Sequence, residues 1–590
     1  MRAADEVTEE AAADVATHES GERSGRWRAV DTWIAVGFVA FATLVLSQLW
    51  IDPNGRVLDG NDDDHGIFLF MLAHAERVVF DGAAPFFSDR FNVPVGVNMM
   101  ANTSILALAI PLAPVTHFLG GGVTVALLVT GGLAGTAFAW YWVLSRHLVN
   151  SRLAAWIGGA WCGFGPTMIS HANGHVNFVS NFVLPFIVWQ VLRLREPGRI
   201  VRGGVILGLL IVLQVFINEE ALLFTAMTMG LIAVLYAAMA RPQARLVWKH
   251  FSAGIGVAAL TSGVLLAYPL WYQFFAPGNY HGQPFEPTAY VTDVASLGWF
   301  SRQALAGNAA LTRHLSVSAT EDNTFFGPIG LVMIIVAIVM LWKSVPLRAT
   351  ALAGLFLLVM SFGPQVRIFG YDTGIPLPFG LISHIPVIDL VSVTRFAMVP
   401  AAVAGVLLAF AADRVPAPKK KIFWIGMVLA LVPLIPKPLP VVQGDPMPPF
   451  LTEGTWKRYV AEGKTLVTVP LPDVTTGRTG QRWATLNNLD YPTPRGYFMG
   501  PADPPYDDTG SWQAPHRYAS ELLWSVREYG YLPVVDRERF LADLDYWRAG
   551  VVVLIPGSRN EAMLKSVLVE VLGEPQSVGG VEIWPIPSNG

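Results

Sequence analysis

The chain has 590 residues, of which 53% are hydrophobic and only 14% are charged. Soluble globular chains carry about 25% charged residues, so these values exclude an ordinary soluble fold for most of the chain. The net charge of −4 argues against a nucleic-acid partner. The single cysteine, Cys162, excludes an intramolecular disulfide framework and a cysteine-based metal site.

Three regions of different composition follow one another along the chain. Residues 1–30 are polar and lean acidic, with few apolar residues to bury, so we expect a disordered cytoplasmic tail. Apolar segments dominate residues 31–440, which we expect to form a transmembrane domain. Residues 441–590 return to the composition of a soluble domain, rich in Asp, Arg, Tyr, Trp and Pro.

About eleven hydrophobic segments are read as transmembrane helices, since a span needs about 20 apolar residues. They are 32–50, 121–145, 152–167, 176–193, 201–217, 220–240, 251–274, 327–344, 349–363, 395–413 and 422–440. A twelfth apolar stretch, 105–119, is interrupted by Pro111 and Pro114. We interpret it as a re-entrant or interfacial element.

The distribution of basic residues orients these segments. If 105–119 does not span, the basic clusters at 193–202, 241–249 and 414–421 all fall on the same side as the N-terminus. Cytoplasmic loops carry the excess of Lys and Arg in membrane proteins. We therefore predict a multi-pass protein of the plasma membrane, with a cytoplasmic N-terminus and with 441–590 outside the cytoplasm.

The first outer loop, 51–120, contains an acidic run. Asp59, Asp62, Asp63, Asp64 and His65 precede a stretch, 67–80, whose apolar spacing predicts a helix lying at the membrane surface. Carboxylates beside an anionic membrane suggest a functional site. The alternative is a solvated acidic turn that caps the helix, because aspartate is favourable near a helix N-terminus.

Two further outer turns carry ionisable residues. His171 and His175 lie four residues apart, so one helical turn places both on the same face. This spacing occurs in metal sites, but histidines that bind headgroups or backbone are the alternative. Glu219 and Glu220 lie between two strongly apolar runs, where carboxylates are costly unless they have partners. They are either functional or simply reach solvent at a short loop.

Two later outer loops provide cations. The segment 275–326 is long and aromatic and contains Arg302, and loops of this length are usually functional. Arg395 lies at the outer mouth of the tenth predicted span, where it either binds an anion or extends to the interface. A lipid phosphate suits a guanidinium, which makes bidentate contacts to phosphate oxygens.

The C-terminal region is predicted to be a small α/β domain. Its pattern predicts strands at 465–471, 551–555 and 581–586, and helices at 520–529, 537–547 and 559–572. We find no Gly-rich phosphate loop in it, and the GSRN sequence at 557–560 is not a nucleophile elbow.

The order of these elements resembles the GT-C superfamily of membrane glycosyltransferases. A charged tail and one helix precede a long aspartate-bearing outer loop, a Pro-rich stretch (ILALAIPLAPVTHFLG) and a helix that ends in a basic loop. The stretches PFFSDRFNVPVGVNMMANTS, GPTMISHANGHVNF and INEEALL resemble an actinobacterial group of GT-C-like proteins. The resemblance implies a polyprenyl-phosphate sugar donor and a catalytic aspartate in the first outer loop.

The resemblance leads to a mechanistic hypothesis, in which a sugar moves with inversion from a polyprenyl-phosphate donor to a cell-envelope glycan or lipid acceptor on the outer face. Asp62 or Asp63 is expected to be the base. Arg395 is expected to hold the phosphate, with Arg302 or a histidine as second choice. The remaining substrate-binding candidates are Asp64, His65, His171, His175, Glu219 and Glu220. The glutamates and aspartates are also candidates for a divalent cation such as Mg²⁺, Mn²⁺ or Ca²⁺.

Two other functions fit the same sequence. A flippase or transporter of lipid-linked glycans would carry polar residues within its spans, often with internal repeats. The predicted spans contain few ionisable residues, and we detect no repeat between the two halves. A non-catalytic scaffold for envelope assembly is the third hypothesis.

Overall fold

The computed structural model describes residues 27–385, 388–474 and 477–587, without the side chains of Asp62 and Pro287. Most of the predicted N-terminal tail therefore lies outside the described residues. The described helices of six or more residues are Ala29–Val45, Asp62–Phe80, Ala113–Leu119, Gly121–Val143, Arg152–Phe164, Pro166–His171, Leu184–Arg193, Ile200–Val215, Glu219–Met239, Arg241–Phe275, Pro328–Leu341, Val345–Ser361, Met398–Arg414, Lys420–Leu431, Thr479–Leu486, Tyr518–Tyr529, Arg537–Tyr546 and Glu561–Leu572.

Each of the predicted hydrophobic segments coincides with helix over much of its length. Four helices in the described part of the chain are long and apolar enough to cross a membrane: Gly121–Leu148, Glu219–Met239, Arg241–Phe275 and Val393–Arg414. Five other predicted segments coincide with apolar helices of 10–17 residues. Helix length and composition therefore support four of the eleven predicted spans directly.

The Pro-rich stretch 105–119 does not form one continuous helix. It folds into two short helices, Leu106–Ala109 and Ala113–Leu119, with Pro111 between them and Pro114 in the first turn of the second. Proline lacks the N–H that an interior helix position must donate. The break agrees with the prediction that this stretch is not a single spanning helix.

The helix of the first outer loop begins earlier than predicted. It starts at Asp62, because the side chain of Asn61 accepts a hydrogen bond from the backbone N–H of Asp64 and caps the helix. The aspartate run therefore forms the first helical turn. Residues such as Phe70 and Leu72 are fully buried, so much of this helix is packed within the protein.

The C-terminal region contains the predicted small α/β unit. The strands Thr465–Val469 (β7), Ala549–Leu554 (β10), Gln576–Val578 (β11) and Val581–Pro585 (β12) form one sheet in the order β11-β12-β10-β7. Strands β7 and β10 are parallel, whereas β12 is antiparallel to β10. The three predicted C-terminal strands and three predicted helices all occur, with ends shifted by a few residues.

The remaining strands form two-stranded pairs. They are Arg56–Leu58 (β1) with Val441–Gln443 (β6), Phe87–Ser88 (β2) with Val97–Asn98 (β3), Gln365–Ile368 (β4) with Tyr371–Pro376 (β5), and Tyr497–Asp503 (β8) with Asp507–Gln513 (β9).

The C-terminal domain is docked onto the first outer loop. Strand β1 of the loop pairs with β6 at the start of the C-terminal region. The backbone N–H of Thr493 donates to the carbonyl of Arg90 at 2.8 Å. The amide of buried Asn102 donates to the carbonyl of Met499 at 2.8 Å and accepts from its N–H at 2.6 Å. The C-terminal domain therefore lies directly over the acidic turn.

Two neighbouring helices, Gly121–Val143 and Arg152–Phe164, approach each other closely at Gly159. A Cβ atom at Gly159 would lie 2.6 Å from the carbonyl oxygen of Ala137. We expect Gly159→Ala to destabilise the protein by about 1–3 kcal/mol, because an added methyl group must push the helices apart. Thermal unfolding of the detergent-purified protein measures this change.

The matched control is Gly131→Ala on the first of these helices, where an added Cβ meets nothing within 4 Å. Alanine favours a helix interior over glycine, so this variant should unfold at the same temperature as the wild type or higher. Equal destabilisation by both substitutions would contradict the close helix contact.

Candidate functional site

Asp64 is the meeting point of three parts of the chain. Its Oδ2 accepts from the Asn61 amide and from His175 Nε2, both at 2.7 Å. Its Oδ1 accepts from the hydroxyl of Tyr497 at 3.2 Å. Burial raises the pKa of the Asp64 carboxyl, but the hydrogen bond and charge of His175 and the amide of Asn61 outweigh it and hold the pKa below its usual value. Asp64 is therefore ionised and held in a fixed orientation.

The two predicted histidines lie side by side. The backbone N–H of His175 donates to the carbonyl of His171 at 2.8 Å, which is the helical turn that the sequence predicted. Their Nδ1 atoms lie 2.8 Å apart, so one of them carries the shared proton. Burial, with repulsion from His175 and Arg395, holds the pKa of His171 well below its ordinary value, so this ring is neutral.

Arg395 joins two carboxylates from different loops. Its Nη1 donates to Glu220 at 2.8 Å, and its Nε donates to Glu321 at 2.9 Å. The guanidinium also lies over the ring of Phe178, 4.8 Å from its centroid. The contact with Glu220 gives one carboxylate of the Glu219–Glu220 turn a cationic partner. Two carboxylates therefore share one guanidinium.

Arg302, the second-choice phosphate ligand, binds an aspartate of its own loop. Its Nε and Nη2 bind the two oxygens of Asp322, each at 2.9 Å, and its Nη2 also donates to the carbonyls of Ser316 and Ser318. Arg302 thereby holds the loop that carries Glu321, the residue next to Asp322. The structure does not bring its guanidinium into the contacts around Asp64 and Arg395.

The other predicted site residues lie around these contacts. Asp63 forms an ion pair with Arg478 of the C-terminal domain. The side chain of Asp62 lies outside the described part of the chain. Glu219 accepts from the amide of Gln273 at 3.1 Å. His65 is buried without a hydrogen bond from its ring to any described residue, and burial with the charge of Arg482 lowers its pKa to about 3.

Glu321 and Tyr497 are the functional candidates that the sequence did not identify. Glu321 is buried, at 5% exposure, and lies in the long loop that was predicted to be functional only as a whole. Tyr497 lies 433 residues from Asp64 along the chain. No local pattern marks such a partner.

Three of these side chains form a group that can hold a metal ion. One donor atom each from His171, His175 and Glu321 lies within 4.8 Å of the others. Two imidazole nitrogens and one carboxylate oxygen suit Zn²⁺ or Mn²⁺ better than Mg²⁺ or Ca²⁺, which prefer oxygen ligands. This group differs from the predicted one, which combined the glutamates of the 219–220 turn with the aspartates. Asp64 would orient His175 from behind, as carboxylates often do for metal-bound histidines.

A cavity of about 950 Å³ extends along the helix bundle, and its lining includes Ala221, which follows Glu220, and Met398, which is three residues after Arg395. Thr167, Asn181 and Ala221 line one part of it, and Arg146, Arg195 and Arg414 line another. Its wall includes both Met398 and Arg414, the first and last residues of one helix. At a rise of about 1.5 Å per residue these residues are about 24 Å apart. The cavity is therefore long, and most of its lining residues are apolar.

Comparison with known proteins identifies the fold. No family model and no curated protein matches the sequence. Among solved structures, the chain is similar to the arabinofuranosyltransferase AftD from Mycobacteria, with a TM-score of 0.56 and 14% identity over 96% of this chain and 40% of that one. The chain has the GT-C fold. It spans only about two-fifths of that relative.

Two other GT-C structures match more loosely. The oligosaccharyltransferase AglB from Archaeoglobus fulgidus, in complex with an inhibitory peptide and a dolichol-phosphate, has a TM-score of 0.44 and 12% identity over 89% of this chain and 69% of that one. ArnT from Cupriavidus metallidurans, bound to undecaprenyl phosphate, has a TM-score of 0.37 and 13% identity over 68% of this chain and 64% of that one.

The ion pairs of Arg395 generate a stability prediction. Arg395→Gln leaves Glu220 and the buried Glu321 facing each other without a cation. We expect a loss of about 3–5 kcal/mol, the usual cost of removing one partner from a buried ion pair. Thermal unfolding in detergent measures it, and Arg395→Gln combined with Glu220→Gln should recover part of the loss.

The control is Arg367→Gln, which breaks a more exposed pair with Asp372 whose side chains are 25% and 41% exposed. This change should cost at most about 1 kcal/mol. An Arg395→Gln variant as stable as Arg367→Gln would show that Arg395 does not hold the site together.

Proposed function

We propose that this GT-C protein is a glycosyltransferase that moves a sugar from a polyprenyl-phosphate donor to an acceptor on the outer face of the membrane. The observation that carries the proposal is a half-buried aspartate, Asp64, which is hydrogen-bonded to His175 and is close enough to the paired Arg395 for that charge to lower its pKa. Ala221, next to Glu220, and Met398, three residues after Arg395, line a long apolar cavity. The GT-C fold supports the same class of reaction.

Asp64 is the proposed general base. It takes the proton of the acceptor hydroxyl as the acceptor oxygen attacks the anomeric carbon and the bond from that carbon to the phosphate oxygen breaks. Attack from the face opposite the phosphate inverts the anomeric centre. His175, Asn61 and Tyr497 fix the carboxylate in place. This proposal moves the role from Asp62 and Asp63 to the third aspartate of the run.

Arg395 is the proposed partner of the departing phosphate. Its Nε and Nη1 bind Glu321 and Glu220. Its Nη2 makes no hydrogen bond to any described residue, so it can donate to a phosphate oxygen. The two glutamates would keep the guanidinium in one orientation. A divalent cation at His171, His175 and Glu321 would add positive charge for the same leaving group.

The apolar cavity suits the polyprenyl chain of the donor. Its length of about 24 Å along one helix approaches the ~30 Å thickness of a bilayer core. Arg146, Arg195 and Arg414 line its far part, and the predicted topology places these residues at the cytoplasmic face. The orientation proposed from basic residues, with about eleven spans and 441–590 outside, thus puts Asp64 and the part of the cavity lined by Ala221 toward the outer face.

The direct test is transfer of a radiolabelled sugar from polyprenyl-phosphate sugars by purified protein in vesicles. We expect Asp64→Asn to lower the transfer rate about 10²–10⁴-fold, the usual contribution of a general base. The control, Asp59→Asn, changes an exposed aspartate of the same loop and should keep the wild-type rate.

The same assay separates the competing functions. If Asp64→Asn transfers sugar at the wild-type rate while Asp62→Asn or Asp63→Asn loses transfer activity, then Asp62 or Asp63 is the base. If the wild type and Asp64→Asn both move the donor across the vesicle membrane and neither forms product, the flippase hypothesis is favoured.

A further inference from the structure

We propose that Tyr497, Trp512, Phe285 and Tyr290 form an aromatic wall that binds the acceptor as an oligosaccharide chain. The rings are arranged in a series. Tyr497 stacks on Trp512 with centroids 5.5 Å apart, Trp512 stacks on Phe285 at 5.9 Å, and Phe285 meets Tyr290 edge-on at 5.3 Å. The inference rests on the proposed function, because it specifies that reaction's acceptor.

The inner end of the wall lies at the proposed base. The hydroxyl of Tyr497 donates to Asp64 Oδ1 at 3.2 Å. At the other end of the series, the carbonyl of Tyr290 accepts from the backbone N–H of Thr394, the residue before Arg395, at 2.7 Å. Both ends of the series therefore lie beside the proposed site, and a saccharide packed on the wall would lie next to Asp64 and Arg395.

The wall combines two separate parts of the chain. Tyr497 and Trp512 belong to the β8–β9 hairpin of the C-terminal domain, whereas Phe285 and Tyr290 belong to the long loop after Arg241–Phe275. His281 and Asp508 join the two parts by a hydrogen bond between Nδ1 and Oδ2 at 3.0 Å, and the backbone N–H of His281 also donates to the Asp508 carbonyl. The hairpin would thus give the C-terminal domain a direct role in acceptor binding.

The exposure of the rings fits a ligand better than a closed core. Tyr497 is buried, but Trp512, Phe285 and Tyr290 are only half-buried. The stacked rings are offset, which leaves parts of their faces and edges open. Sugar rings present C–H groups on their faces, and these groups pack well on the negative face of an aromatic ring.

The charges around the wall favour a glycan over a lipid acceptor. The turn of the hairpin carries the exposed carboxylates Asp503, Asp507 and Asp508. Carboxylates at this position would be repelled by anionic headgroups and would cost energy within an apolar layer. They are compatible with the hydroxyl groups of a hydrated saccharide.

The test uses the full chain in lipid nanodiscs with trisaccharides of arabinofuranose, galactofuranose and mannopyranose as probes. Saturation-transfer NMR measures their binding. We expect at least one probe to bind the wild type, and Trp512→Ala to weaken that binding about tenfold through loss of ring stacking. Trp512→Phe, which keeps a ring, should retain most of it.

The control is Tyr529→Ala, an exposed aromatic residue of the same domain at 67% exposure, which should bind the probes as the wild type does. An unchanged melting temperature of Trp512→Ala shows that the variant is folded. If it is not folded, Phe285→Ala, which removes the neighbouring ring of the wall, serves in its place and should also weaken binding. Equal binding by the wild type and both Trp512 variants, or no binding of any probe by the wild type, would overturn the proposal.

The saccharide-binding measurement tests the wall separately from the proposed transfer reaction. If Asp64→Asn keeps full transfer activity but the probes still bind through Trp512, the wall stands and the proposed base is wrong. If Asp64→Asn is inactive but Trp512→Ala binds saccharides normally, the proposed function stands and the wall is wrong.

Discussion

The guanidinium of Arg395 is the charge on which the arrangement of the site depends. It is the direct ion-pair partner of both Glu220 and Glu321, and without it two carboxylates would repel each other at the end of an apolar bundle. Its ring contact with Phe178 connects it to the histidine pair, because His171 stacks on the same phenylalanine at 4.7 Å. The positions of the 219–220 turn, the Glu321 loop and the histidine turn are therefore mutually dependent.

The acidic turn at Asn61–Asp64 depends in the same way on the C-terminal domain. Arg478 neutralises Asp63, and Tyr497 completes the hydrogen bonds of Asp64. Both residues lie near the docked surface formed by β1 with β6 and by Asn102 with Met499. The C-terminal domain thus does more than cover the transmembrane domain, since it supplies side chains to the acid that we propose as the base.

The sequence predicted the helices and the C-terminal strands well because hydrophobic periodicity and propensity are local properties. It also predicts that Asp62, His171, Glu219 and Arg395 lie at one face, because each lies at a boundary of an apolar segment. It predicted Asp62 or Asp63 as the base, whereas we propose Asp64. Consecutive helical residues point about 100° apart, so the choice among the three requires the cap at Asn61, which the sequence analysis did not locate. Local sequence patterns could not identify Glu321 and Tyr497 as site residues, because their partners lie far away in the sequence.

The most direct test of this account is a structure of the wild-type protein with a non-cleavable polyprenyl-phosphonate sugar. The account predicts the phosphonate in hydrogen-bond contact with Arg395, the sugar between that residue and Asp64, and the polyprenyl chain in the cavity lined by Met398–Arg414. A phosphonate bound at the Arg146 and Arg414 end of the cavity, with Asp64 facing no sugar, would contradict it.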